Sequence, residues 1–198
     1  MESNSKRRLH VYLAETNALD APVIFLLAGG EDGTKVLELA QRLTTQQFSL
    51  VIVPVADWNR ELSPWAAPSV FKGGEDFSGG ADKLLRELES DIVPSVMEEL
   101  RANVPCILAG YSLAGLCAVY ALYRTRIFSG VISASGSLWF PGFMNYTEAH
   151  DFARKPDKAY FSLGDKESHT KNKIMKFVEE NTRLLCKNYL EQDIQTVF

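Results

Sequence analysis

Cysteine and histidine are both scarce in this chain, three of each in 198 residues. Cys106, Cys117 and Cys186 each lie in an apolar stretch, and an odd count of that kind points to reduced core thiols and a cytoplasmic protein. No Cys/His cluster has metal-ligand spacing, so neither a metal nor any other cofactor is expected. Basic residues are not in excess: 21 Lys and Arg against 25 Asp and Glu give a net charge of −4, which excludes a phosphate-binding stripe and argues against a nucleic-acid partner. No apolar run approaches the length of a membrane span, and the polar, basic start of the chain has no following apolar core, so neither a membrane anchor nor a secretory signal is expected. What remains is a chain that is 46% hydrophobic and 23% charged, enough for one domain over residues 1–198, with residues 1–8 expected to be disordered or extended.

Apolar runs and helical periodicities alternate along the chain. Strands are predicted at 10–14, 23–28, 50–55, 106–111, 130–134, 159–163 and 194–197. Helices are predicted at 34–46, 81–101, 113–123 and 168–190, and Pro94 is expected to bend the second. Such alternation predicts an α/β fold, a mostly parallel sheet with helices on both faces. Sites in such sheets gather at the carboxyl ends of the strands. That edge would hold Gly29-Gly30, the loop after Val55, Ser112, the loop after Ala134 and the turn 164–167. Two loops leaving it, 57–80 and 135–152, are long and rich in aromatic residues. Most of those rings are expected to pin the loops to the body, and some to wall a pocket.

The densest signal is Cys106-Ile-Leu-Ala-Gly110-Tyr-Ser112-Leu-Ala114-Gly115. It reads as a buried strand turning sharply into an apolar helix with Ser112 at the apex. A nucleophile at such a turn sits in strained backbone, and the positions two before and two after it must be small; Gly110 and Ala114 are. The turn would leave the Leu113 N–H at a helix N-terminus, free to stabilise an oxyanion. A serine hydroxyl needs a base, and the base an orienting acid, in the chain order Ser, acid, His. Gly164-Asp165-Lys166-Glu167 supplies two carboxylates at the end of the next strand but one, and either could orient an imidazole. His10 starts an early strand, His150 lies on an aromatic loop, and His169 alone follows the acid.

Taken together, Gly110-Tyr-Ser-Leu-Ala-Gly115, Asp57-Trp58-Asn59, Ser63-Pro64-Trp65 and Tyr160-Phe-Ser-Leu-Gly-Asp-Lys-Glu167 resemble one branch of the α/β-hydrolase superfamily. It is the branch of the esterase D, siderophore (enterochelin) esterase and antigen-85-like proteins, and the resemblance runs from about His10 to the end. It implies an α/β-hydrolase fold and a small-molecule carboxylic ester as substrate. Ser112 would be the nucleophile and Glu167 the acid, with Asp165 the alternative. The oxyanion donors would be Leu113 and the Gly30-Glu31 loop, and Tyr111, Trp58, Trp65 and Trp139 would line the substrate site. The branch carries its histidine in a loop after the last strand, and residues 1–198 hold none there. The expectation is a C-terminally short hydrolase, impaired unless His169 or His150 substitutes. A non-catalytic binding or structural relative, an acyltransferase on the same site and a homodimer are the other expectations.

Overall fold

The computed structural model describes residues 7–14, 20–29, 33–100 and 103–198. Seven strands form the central sheet: β1 (His10–Tyr12), β2 (Val23–Ala28), β3 (Ser49–Pro54), β6 (Cys106–Tyr111), β7 (Gly130–Ala134), β8 (Lys158–Ser162) and β9 (Gln195–Val197). Their order is β1-β3-β2-β6-β7-β8-β9, parallel throughout except for β1, which runs antiparallel to β3. After β2 the chain moves outward to β3, then crosses back to lay β6 on the other side of β2 and continues the opposite way. The carboxyl ends of β2 and β6 therefore flank a topological switch point, where such sheets open a crevice.

The helices are α1 (Gly33–Leu43), α2 (Trp58–Glu61), α3 (Ala81–Glu87), α4 (Val93–Leu100), α5 (Leu113–Arg124), α6 (Phe143–Ala149) and α7 (Val178–Glu191). Helix α5 lies against β6 and β7, and every residue from Leu113 to Tyr123 is buried, as its all-round apolar sequence predicts. The predicted helix 81–101 is two helices joined by a π-turn at Leu88–Ile92, where the Val93 N–H reaches back to the Leu88 carbonyl. This wider turn directly precedes Pro94, whose ring has no room against the Ser90 carbonyl in regular α geometry. The predicted bend is thus taken up as a local widening.

Other expectations are corrected in detail. Loop 57–80 carries α2 and a two-stranded ribbon of β4 (Ala66–Ala67) with β5 (Phe77–Ser78), and loop 135–152 carries α6. Residues 168–174 are turns and irregular backbone, and helical structure starts only at Met175–Phe177 and α7. Helix α1 forms where the periodicity places it, yet Val36, Leu39 and Leu43 on its apolar stripe face solvent. Periodicity reports the local pattern; burial also needs a facing surface. Residues 1–6 lie outside the described residues, whereas Arg7 is held firmly: it pairs with Glu61 and Glu87 and donates to the Pro54 carbonyl. All three cysteines are free and buried; burial pushes the Cys117 thiol up to about 12 and Cys106 and Cys186 to about 11. Among the described residues no helix is long and apolar enough to cross a membrane, and no group of three metal-binding side chains gathers.

Candidate active site

Strand β6 ends at Tyr111, α5 starts at Leu113, and Ser112 is the single residue between them, at φ 55° and ψ −122°. An L-residue there is strained by about 1–3 kcal/mol and persists only where its surroundings hold it. They do: the Ser112 N–H donates to the Ala134 carbonyl at 3.0 Å, and the Ser112 carbonyl accepts from the N–H groups of Leu116 (3.1 Å) and Ser137 (3.0 Å). The requirement for small neighbours is met with nothing to spare. A Cβ on Gly110 would lie 2.3 Å from the Ala114 carbonyl carbon, and one on Gly115 would lie 2.8 Å from Ser133 Oγ.

Leu113 is the first helical residue, so its N–H has no partner within α5, and it makes no other hydrogen bond among the described residues. It points a partial positive charge at the space beside Ser112. Gly30 and Glu31, the other expected oxyanion donors, lie outside the described residues. The neighbouring Gly29 is packed under Trp58, whose ring would be 3.3 Å from a Cβ at that position. Trp58 thus stands at the carboxyl end of β2, across the switch point from Ser112. Tyr111 is 63% exposed beside the serine.

The two acids of the turn after β8 are placed very differently. Glu167 closes the turn: its N–H donates to the Gly164 carbonyl (3.1 Å), and its Oε1 accepts from the Gly164 N–H (2.8 Å) and the Ser135 hydroxyl (2.6 Å). Asp165 is exposed and makes no hydrogen bond among the described residues. His169 is also exposed, in the turns ahead of α7, its N–H on the Lys166 carbonyl. Its charge adds slightly to the Arg183 and Ser168 hydrogen bonds that hold the Glu179 carboxyl below its usual range.

The other histidines are elsewhere. His10 is three strands from β6, about 14 Å across the sheet at ~4.8 Å per strand. His150 follows α6, stacks on Tyr146 with ring centroids 4.1 Å apart, and lines a groove of about 520 Å³ together with Tyr123 and Tyr189. Tyr123 lies toward the far end of α5, about 16 Å from Ser112 at ~1.5 Å per residue. The expectation that His150 approaches the serine is therefore corrected: the loop that carries it runs back along α5.

The aromatic loops mostly pack on each other and on α5. Trp65 meets Tyr120, Phe140, Phe143 and Tyr146 at centroid distances of 5.4–6.5 Å, and its indole N–H donates to the Pro141 carbonyl at 3.0 Å. Trp139 lies 6.4 Å from Phe77 of the other loop. Trp65 is therefore committed to packing, whereas Tyr111 adjoins Ser112 in the chain and Trp58 covers Gly29.

Sequence reasoning missed Ser135 and Ser137. The Ser137 hydroxyl is 3.4 Å from that of Ser112, its only side-chain partner among the described residues, and Ser135 holds Glu167. Their signal was a polar Ser-Gly-Ser directly after β7, at the carboxyl edge of the sheet.

The family model described as Putative esterase matches residues 2–192. No curated protein matches the chain. Among solved structures, the chain is similar to an IroE-like serine hydrolase from Shewanella oneidensis at 21% identity and a TM-score of 0.79, over 96% of this chain and 67% of that one. It is similar to siderophore hydrolase EstA from Aspergillus nidulans at 15% identity and 0.62, over 98% and 87%. It is also similar to acyl-protein thioesterase 2 from Zea mays at 17% and 0.57, over 96% and 89%. At these identities the likeness speaks for the backbone alone, and that backbone is the α/β-hydrolase fold.

Proposed function

The chain belongs to the Putative esterase family, and from that premise we propose that it is a serine carboxylic-ester hydrolase with Ser112 as nucleophile. The observation that carries the reading is the backbone of Ser112, an L-residue held at φ 55° where a central parallel strand breaks into a buried helix. Strain of this kind survives where it presents a side chain for chemistry. In the proposed reaction Ser112 Oγ attacks the acyl carbon and the alcohol leaves. Water then takes the acyl group from the serine ester. The Leu113 N–H stabilises the tetrahedral oxyanion at the start of α5, and the Gly30-Glu31 loop supplies the second donor. Glu167, whose Oε2 makes no hydrogen bond among the described residues, is the carboxylate that would orient an imidazole supplied to the site; Asp165 stays in solvent. Tyr111 and Trp58 flank the acyl site.

General-base help is the weak part of this arrangement. None of His10, His150 and His169 hydrogen-bonds Ser112 or Glu167. Residues 1–198 are therefore proposed to turn over slowly, roughly four to six powers of ten below a complete triad, on oxyanion and binding effects alone. With free imidazole added as base, a fluorophosphonate probe should label the wild type and leave Ser112→Ala unlabelled. After subtraction of the hydrolysis that imidazole causes by itself, p-nitrophenyl acetate turnover by the wild type should rise with added free imidazole, and that by Ser112→Ala should not. Equal residual turnover in the two proteins removes the serine mechanism. If His169 serves as the base, His169→Ala abolishes turnover and free imidazole restores it.

A further inference from the structure

Two hydroxyls on one short segment touch the two groups assigned to the reaction. Ser135 Oγ donates to Glu167 Oε1 at 2.6 Å, and two residues later Ser137 Oγ lies 3.4 Å from Ser112 Oγ. The segment is fastened on every side. The Ser135 N–H donates to the Ser162 carbonyl at the end of β8 (2.7 Å), and the Ser137 N–H to the Ser112 carbonyl (3.0 Å). The Ser137 carbonyl accepts from Phe140 N–H (2.9 Å), and the adjoining Leu138 carbonyl from Asn181 of α7 (2.8 Å). Between the two serines, Gly136 rests on Ser133, which is 1% exposed and whose hydroxyl has no partner among the described residues; a Cβ on Gly136 would come 2.1 Å from it. Ser135 itself is held at φ 46°, a second strained L-residue at the same edge. Short loops do not collect strain, a forced glycine and four anchoring bonds without a geometric task.

We propose that residues 135–137 are a clip that sets the orientation of the nucleophile: Ser137 is a positioning residue that selects the Ser112 rotamer, and the Ser135–Glu167 hydrogen bond is the anchor that keeps Ser137 in place. The proposal rests on Ser112 being the nucleophile. A serine hydroxyl has three staggered positions, and only one aims Oγ at a bound acyl carbon. A separation of 3.4 Å is at the long limit of a hydrogen bond, so the contact biases a rotamer and does not relay a proton. Ser137 is 2% exposed, which keeps water from competing for the contact. Glu167 then reaches Ser112 through the clip as well as through any imidazole it orients.

The test is the kinetics of fluorophosphonate labelling of the full chain, separating the maximal rate constant from the half-saturating probe concentration. Ser137→Ala should lower the maximal rate about threefold, in keeping with three rotamers in place of one. The half-saturating concentration should change less than about twofold, since orientation and binding are separate terms. Ser137→Cys, which keeps a hydrogen-bonding group of similar size, should recover at least half of the loss. Ser135→Ala should also lower the maximal rate, and Ser135→Ala/Ser137→Ala should be no slower than Ser137→Ala alone, because one residue acts through the other. A wild-type maximal rate in Ser137→Ala overturns the clip, and so do losses that multiply in the double variant. If Ser137→Ala fails to fold, Ser135→Ala decides, an unchanged maximal rate counting against the proposal. With free imidazole added as base, a wild type that does not label at Ser112 overturns the nucleophile reading and the clip with it, whereas a labelled wild type with an unaffected Ser137→Ala sinks the clip alone.

Discussion

Gly110 shows how one missing methyl group fixes a site. Its position two before Ser112 faces the backbone of Ala114 across the turn, and any Cβ there would fall 2.3–2.7 Å from Ala114 atoms. Neither partner can retreat, because Ala114 is fully buried in α5 and Gly110 of β6 is paired with β2 on one side and β7 on the other. Gly110→Ala is expected to cost about 1–3 kcal/mol in urea denaturation, the range for overpacking a tight interior. Because relief requires the turn to open, fluorophosphonate labelling of Ser112 should fall with it. A variant of unchanged stability and labelling would mean that the turn is not tight. The reverse lesson comes from Ser133 and Ser135–Ser137. Their hydroxyls carry no periodicity or spacing rule; the sequence shows only small polar residues at and after the carboxyl end of β7, without their partners.

Among the elements, α5 and the two aromatic loops belong together. The helix offers Tyr120 and Tyr123 along one side, and the loops bring Trp65, Phe140, Phe143 and Tyr146 onto them, so residues far apart in sequence form one cluster. Tyr146 and Trp65 are its two centres, Tyr146 with five ring neighbours and Trp65 with four and an indole hydrogen bond. Trp65→Ala is expected to destabilise the protein by about 3 kcal/mol, the lower end for removing a large ring because Trp65 is only partly buried. Urea denaturation would check this, and a loss below about 1 kcal/mol would mean that the cluster does not hold the loops. This packing explains why loops of such length stay ordered. It also shows that the three tryptophans differ in setting: Trp65 packs among four rings, Trp139 meets Phe77 of the other loop, and Trp58 covers Gly29.

On the scale of the whole molecule, Arg7 ties the start of the chain to the carboxyl end of β3, to α2 and to α3, through the Pro54 carbonyl, Glu61 and Glu87. Burial pushes the Glu61 carboxyl up, but the Arg7 hydrogen bond and charge and the N–H groups of Asp57 and Ala56 outweigh it and hold it below the usual carboxylate range. A carboxyl depressed in the folded state contributes stability above its unfolded pKa of about 4.3 and loses it as pH falls through the folded value. Arg7→Ala should therefore cost about 2 kcal/mol at pH 7, less than for a fully buried pair because both side chains keep some exposure. The gap to wild type should close as pH drops below about 4. Urea midpoints for both proteins between pH 7 and pH 3 would check the sign, and a gap that widens toward acid would refute it.

Alternating apolar runs and periodicities already determined the mostly parallel sheet, the elbow at Ser112 with its small neighbours, and the turn holding Asp165 and Glu167. Each of these is written locally, in the spacing of residues that share a strand, a helix or a tight turn. Tertiary structure alone decided which carboxylate is held (Glu167 by Ser135), where each histidine lies, which tryptophan packs among rings and which covers Gly29, and that the apolar stripe of α1 stays open to solvent. Those outcomes depend on surfaces brought together from distant parts of the chain, and a linear pattern carries the shape of one partner but not the presence of the other.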